Sequence, residues 1–192
     1  PISVDTYKVD VAEAAVSAGA RMINDIYGLR REPALAELAA HHNLPLVLMH
    51  IRGQPRTMQK NPRYDNLMGE IVDSLRRSVA TALRLGVAPE ALIIDPGIGF
   101  GKSWEDNLRI LNRLVQLKTF GLPVLVGVSR KSFIGAVLGK ESPKERLYGT
   151  LGASAAALVA GASAFRVHDP QEVRETLLVA AAVKQENTNV AG

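Results

Sequence analysis

The residues with the most chemistry to offer stand just after short apolar runs. Asp95 ends the run Ala91, Leu92, Ile93, Ile94, and Pro96, Gly97, Gly99 and Gly101 follow it. Those residues let a backbone turn sharply and approach a ligand closely, so residues 95–102 read as one wall of a binding site. Farther on, Arg166 and His168 are separated by a single valine. In an extended segment two such side chains share a face, where a guanidinium and an imidazole can grip one phosphate group. Two cations projecting together from a buried strand are costly unless an anion answers them. Lys131, set among serines at another strand end, is placed to read acceptors. Asp5, Asn24 and His50 each close an earlier apolar run.

The elements that must position these groups alternate along the chain. Strands are expected at residues 2–4, 21–23, 45–49, 91–94, 123–128 and 164–169, and helices at 9–18, 32–42, 64–85, 104–117, 145–160 and 171–185. Residues 51–63 form a long polar loop of the kind that often serves as a lid. Helices longer than the strands they separate imply parallel strands and crossover connections. Each expected strand hands a polar or charged group to the same edge, as in a (β/α)8 TIM barrel, where function gathers at the carboxyl ends of the strands. A doubly wound sheet is the alternative, but the first strand is not followed by a glycine-rich phosphate fingerprint. Several of these residues also have plainer readings. Asp5 and Asn24 can cap the following helices, His50 can be structural, and Lys131 can sit in a surface turn.

Composition narrows the field. The chain has 192 residues, 47% hydrophobic and 22% charged, with a net charge of +4. That is enough chain to bury one core, and no linker divides it. The absence of cysteine excludes disulfides, thiolate metal sites and a Cys nucleophile. No apolar run is long enough to span a membrane, and the expected compartment is the cytoplasm. Dispersed charges and 5% aromatic content argue against a nucleic-acid surface.

The segments SVDT (residues 3–6), INDI (23–26), LMH (48–50), DPGIGFGK (95–102), GVSRKSFIG (127–135) and RVHD (166–169) together resemble the dihydropteroate synthase family. The resemblance implies a single pterin-binding barrel domain over residues 1–192. It would supply about six of the eight βα units of the barrel, starting at the third. It implies the condensation of 7,8-dihydropterin-6-ylmethyl diphosphate with 4-aminobenzoate, giving 7,8-dihydropteroate and pyrophosphate.

By the same resemblance Asp5, Asn24, Ile26, Met49, Asp95, Phe100, Gly127 and Lys131 bind the pterin. Arg166 and His168 hold the diphosphate, Phe100 and Ser132 lie beside aminobenzoate, and Lys131, Arg166 and His168 carry the catalytic roles. Mg2+ is the implied cofactor, with its Asn ligand outside this chain and no metal ligand within it. Sulfonamides are the implied inhibitors, a homodimer the implied full-length assembly, and neither nucleic acid nor membrane a partner. The chain is thus expected to be a fragment that encodes most of the pterin pocket and part of the second-substrate site. The pterin-binding domain of a corrinoid-dependent methyltransferase and a non-catalytic pterin-binding fragment are the alternatives. Ser-Arg-Lys-Ser and Arg-Val-His favour the synthase.

Overall fold

The computed structural model describes residues 1–54, 57–58 and 62–186. Six strands alternate with helices as expected: β1 (Ile2–Asp5), β2 (Ala20–Asp25), β3 (Leu46–Met49), β4 (Leu92–Asp95), β5 (Leu125–Val126) and β6 (Ala164–Phe165). The α-helices are α1 (Val9–Ser17), α2 (Ala34–His41), α3 (Leu67–Arg84), α4 (Trp104–Asn112), α5 (Ser132–Leu138), α6 (Leu147–Ala160) and α7 (Pro170–Gln185).

Local chemistry sets the helix limits. α3 starts where Asn66 accepts the Gly69 N–H at 3.1 Å, and it turns Met68, Ile71, Leu75 and Ala82 inward. α4 opens on a reciprocal capping box between Ser103 and Asp106. The single helix expected over residues 104–117 is in fact α4 followed by the 3₁₀ stretch Leu114–Phe120, which stops at Gly121 in the left-handed region. α5 was not expected at all. It buries Phe133 and Ile134 and ends at left-handed Gly139. Where α6 crosses α5, a Cβ on Gly149 would lie 2.3 Å from Ile134 Cγ2, so glycine permits the close crossing. Much of the expected loop over residues 51–63, and the tail 187–192, lie outside the described residues.

β1, β2, β3 and β4 pair in parallel in chain order. β5 pairs in parallel with β6, and a parallel bridge between Ile94 and Val124 joins the two groups. Strand order therefore follows chain order without the reversal of a doubly wound sheet. This is the βα arrangement of a TIM barrel.

Alternation along the strands separates structure from site. One face packs outward against helices. Ile23, Leu46, Leu48 and Leu92 form a core with residues of α1 and α2. Ile94, Val124, Val126 and Val128 form another with α3, α4, α5 and α6. The opposite face carries Asp5, Asn24 and Val47 in register, and Met49 beside Asp95.

Candidate active site on the concave face

The sheet curves enough for its first and last strands to share a cavity. A space of about 240 Å³ is lined by Asp5 at the end of β1, Phe100 from the loop after β4, Gly127, Ser129 and Lys131 after β5, and Arg166, Val167 and His168 after β6. Arg166 and His168 thus reach one cavity, as their spacing suggested, although β6 itself ends at Phe165.

Beneath the cavity lies Asp95, 1% exposed. Its Oδ1 accepts the Gly97 N–H at 2.7 Å, and its Oδ2 accepts Arg166 Nη2 at 3.3 Å. Burial pushes the Asp95 pKa up, while Arg166, the Gly97 N–H, Lys131 and Lys102 oppose the rise. The anion answering Arg166 in this structure is therefore Asp95 itself.

Asn24 stands beside Asp5. Its amide donates to Asp5 Oδ1 at 2.7 Å, yet its own Oδ1, fully buried, has no hydrogen-bond partner. A buried amide oxygen left without a donor is costly.

Lys131 donates to the Ile98 carbonyl, and its ammonium stands 4.4 Å from the centre of the Phe100 ring. Burial lowers its pKa to about 8, with Asp95 holding it up. Glycine at position 99 makes this possible, because a Cβ there would lie 2.9 Å from Lys131 Cδ. Gly127 leaves room in the same way for Arg166, whose Nη2 is 3.3 Å from the position of an added Cβ.

His168 is oriented by Ser129. The hydroxyl oxygen accepts the His168 backbone N–H at 3.2 Å and lies 2.9 Å from Nδ1. With the hydroxyl proton directed at Nδ1, the ring presents Nε2–H as a donor. Beside it, Arg130 pairs with Asp169 through two hydrogen bonds, Nε to Oδ2 at 3.1 Å and Nη2 to Oδ1. The pair raises the Arg130 pKa and lowers that of Asp169. It ties the turn bearing Lys131 to the loop bearing His168. Ser129, Arg130 and Asp169 were not singled out from the sequence, and the only signal available was their place inside the GVSRKSFIG and RVHD segments.

The other expected site residues divide. Ile26, Met49 and Phe100 belong to one apolar cluster with Tyr27 and Ile51, which supplies a wall near the cavity. Ser132 is exposed at the start of α5 and does not line the cavity. His50 is buried against Lys102 and does not line the cavity. Among the described residues no group of three or more His, Asp or Glu could hold a metal ion. No step below runs through a metal ion. No helix among the described residues is long and apolar enough to cross a membrane.

Six parallel βα units with acceptors and cations gathered at their carboxyl ends define a TIM-barrel protein, the class whose functional groups collect at that rim. The chain belongs to the pterin binding enzyme family, whose sequence profile matches residues 1–168. It is 46% identical over 183 residues to a dihydropteroate synthase of Synechocystis, covering 95% of this chain and 63% of that protein. It is 43% identical over 188 residues to that of Escherichia coli, covering 98% and 66%. Dihydropteroate synthase from Stenotrophomonas maltophilia superimposes with a TM-score of 0.92 at 41% identity, covering 98% of this chain and 71% of that one. The Yersinia pestis enzyme, solved as a sulfonamide drug complex, gives 0.91 at 40% identity, with 96% and 67% covered. The chain thus spans slightly less than two thirds of the length of these curated relatives.

Proposed function

We propose that the concave site binds 7,8-dihydropterin-6-ylmethyl diphosphate and serves its condensation with 4-aminobenzoate, the dihydropteroate synthase reaction. The observation that carries the reading is the pairing, in one small site, of buried acceptors with half-buried cations. Asp95 and the unpartnered Asn24 Oδ1 face N–H donors of the pterin ring, with Asp5 at its other edge. An ionised carboxylate against an aminopyrimidinone makes a charge-assisted pair. Lys131 donates to the ring, Phe100, Met49 and Ile26 supply apolar walls, and Gly127 leaves it room.

Arg166 and His168 hold the diphosphate. As the bond from the pterin methylene to the diphosphate oxygen breaks, its electron pair leaves with that oxygen. The guanidinium and the imidazole N–H are placed to stabilise the charge that grows there. The arylamine nitrogen then bonds to the methylene carbon and gives up a proton. Ser132 and Phe100 belong to the arylamine side in this reading, as would a sulfonamide competitor. One solved relative, from Xanthomonas albilineans, is described with 7,8-dihydropteroate bound and another crystal of it with 4-aminobenzoic acid, which supports the same substrates here. A cytoplasmic homodimer, with magnesium accompanying the diphosphate, completes the proposal.

Calorimetric titration with 6-hydroxymethylpterin and, separately, pyrophosphate tests the reading. Both are expected to bind. Asp95→Asn is expected to lose about 100-fold or more of the pterin affinity, the scale of a buried charge-assisted hydrogen bond, while pyrophosphate binding survives. Undiminished pterin binding in Asp95→Asn would overturn the assignment.

A further inference from the structure

The glycine-rich loop after β4 rests on a buried ammonium that the reaction above leaves without a task. Lys102 is 2% exposed. Its Nζ lies 3.0 Å from His50 Nδ1, 3.0 Å from the Phe100 carbonyl and 3.4 Å from the His50 carbonyl. An ammonium has three N–H donors and no acceptor, so its donors match the acceptors around it one for one. The arrangement also assigns the His50 tautomer, with Nδ1 accepting and the ring proton on Nε2. Burial, reinforced by Lys102, Arg30 and Arg52, pushes the His50 pKa down to about 2, and the imidazole stays neutral.

The contacts join two neighbouring strands. His50 directly follows β3, and Lys102 closes the loop after β4. Between these anchors the loop has no slack. A Cβ on Gly97 would lie 1.8 Å from the His50 carbonyl oxygen, and one on Gly101 would lie 2.1 Å from that of Arg52. The residue whose carbonyl Lys102 holds is Phe100, whose ring lines the cavity and meets Lys131. The loop begins at Asp95, so one buried lysine acts on both the floor and a wall of the site.

We propose that Lys102 is a positioning residue of the concave site, a strut seated on His50 that sets the Phe100 ring and the Asp95 carboxylate against Lys131 and Arg166. This rests on the pterin reading given above. The charged and titratable groups facing Lys102 are His50, Asp95, Lys131, Asp106 and Arg30. Burial brings its amine down to about 7, with Asp95 and Asp106 holding it up. Deprotonation leaves two donors for three acceptors, and the loop loses one of its ties.

The test is calorimetry on the full chain with 6-hydroxymethylpterin and pyrophosphate as separate probes, for the unmodified protein, Lys102→Met and His50→Phe. Lys102→Met is expected to lose at least about tenfold in pterin affinity, since displacements of an ångström are felt at that scale, with pyrophosphate affinity unchanged within twofold. His50→Phe is expected to show the same split, and serves if Lys102→Met does not fold. The pH profile of pterin affinity adds a readout that packing alone would not move. The unmodified chain is expected to weaken as pH rises through about 7, a step that Lys102→Met lacks, whereas the Lys131 step near 8 remains in both. Equal losses for both probes, unchanged pterin affinity in a folded Lys102→Met, or a profile without the lower step would overturn the proposal. Absence of pterin binding by the unmodified chain would overturn the functional reading instead, and the inference with it.

Discussion

In the first four strands the site groups sit within the sheet, whereas in the last two they sit beyond it. β1 to β4 run four to six residues each, and Asp5, Asn24 and Asp95 are members of the strands. Asn24 and Asp95 are almost wholly buried. β5 and β6 are two residues each, and Lys131, Arg166 and His168 follow them on loops tied by Arg130 with Asp169 and Ser129 with His168. In the proposed function, acceptors that read a flat ring gain direction from a rigid, dry ladder. A cation proposed to meet a diphosphate is less costly where water still reaches it, and the Arg166 side chain keeps 39% of its exposure. The short strands release the backbone early enough to place those cations at the rim.

Gly97→Ala should break the first half outright. The residue has φ +71, and its new Cβ would meet the His50 carbonyl at 1.8 Å, where only backbone movement gives relief. A loss of several kcal/mol, about 3 or more, is expected in denaturant unfolding, because conformational strain adds to overpacking. Leu75→Ala, which leaves the site alone and empties part of the outer core, should cost about 2–5 kcal/mol. A Gly97→Ala chain as stable as the parent would mean the β4 loop is softer than its contacts imply.

Arg166→Met probes the link between the halves. Pyrophosphate affinity is expected to fall about 10- to 100-fold, as for loss of a phosphate-gripping guanidinium with its charge-assisted hydrogen bonds. Asp95 then loses its counter-ion, and burial drives its pKa farther up. The acid-side loss of pterin binding should therefore set in at a higher pH in the variant than in the parent.

Acid titration probes the first half through His50. The His50 pKa lies near 2 in the fold against an ordinary value of 6.5. The unfolded chain therefore takes up a proton below pH 6.5 that the folded chain refuses until about pH 2. Stability tied to His50 is whole above 6.5 and drains as pH falls toward 2, by at most about 1.4 kcal/mol per pH unit. His50→Phe should flatten that limb in urea midpoints taken between pH 6.5 and 4.

Much of this contrast was legible in the residues. Most strands are short apolar runs that stop at a polar group, and the register sets Asp5 beside Asn24 and Asp95 beside Met49. The spacing of Arg166 and His168 was enough to put both at one cavity. Other features were hidden for physical reasons. α5 has seven residues, too few to show a periodicity. The change from α4 to a 3₁₀ stretch was masked because apolar spacing hardly differs between 3 and 3.6 residues per turn over so short a run. The partnership of Arg166 with Asp95 spans 71 positions, and no local pattern announces it. Lys102 follows a glycine and precedes a helix cap, which reads as surface, yet the fold closes over it.

Gly127→Ala gives the smallest and sharpest test of the cationic half. Its Cβ would lie 3.3 Å from Arg166 Nη2, the far end of a long side chain that can give way, and the residue's φ is not in the left-handed region. Stability should change by less than about 1 kcal/mol, since only a flexible tip must shift. Pyrophosphate affinity should fall a few-fold as the guanidinium is nudged off Asp95, and pterin affinity should fall as well if the ring lies over this glycine. A stability loss as large as that of Gly97→Ala would show that the β5–β6 side is as rigid as the β1–β4 side. The cations would then be held in fixed positions, and the exposure of Arg166 would reflect an open mouth to the cavity and not freedom to move onto a ligand.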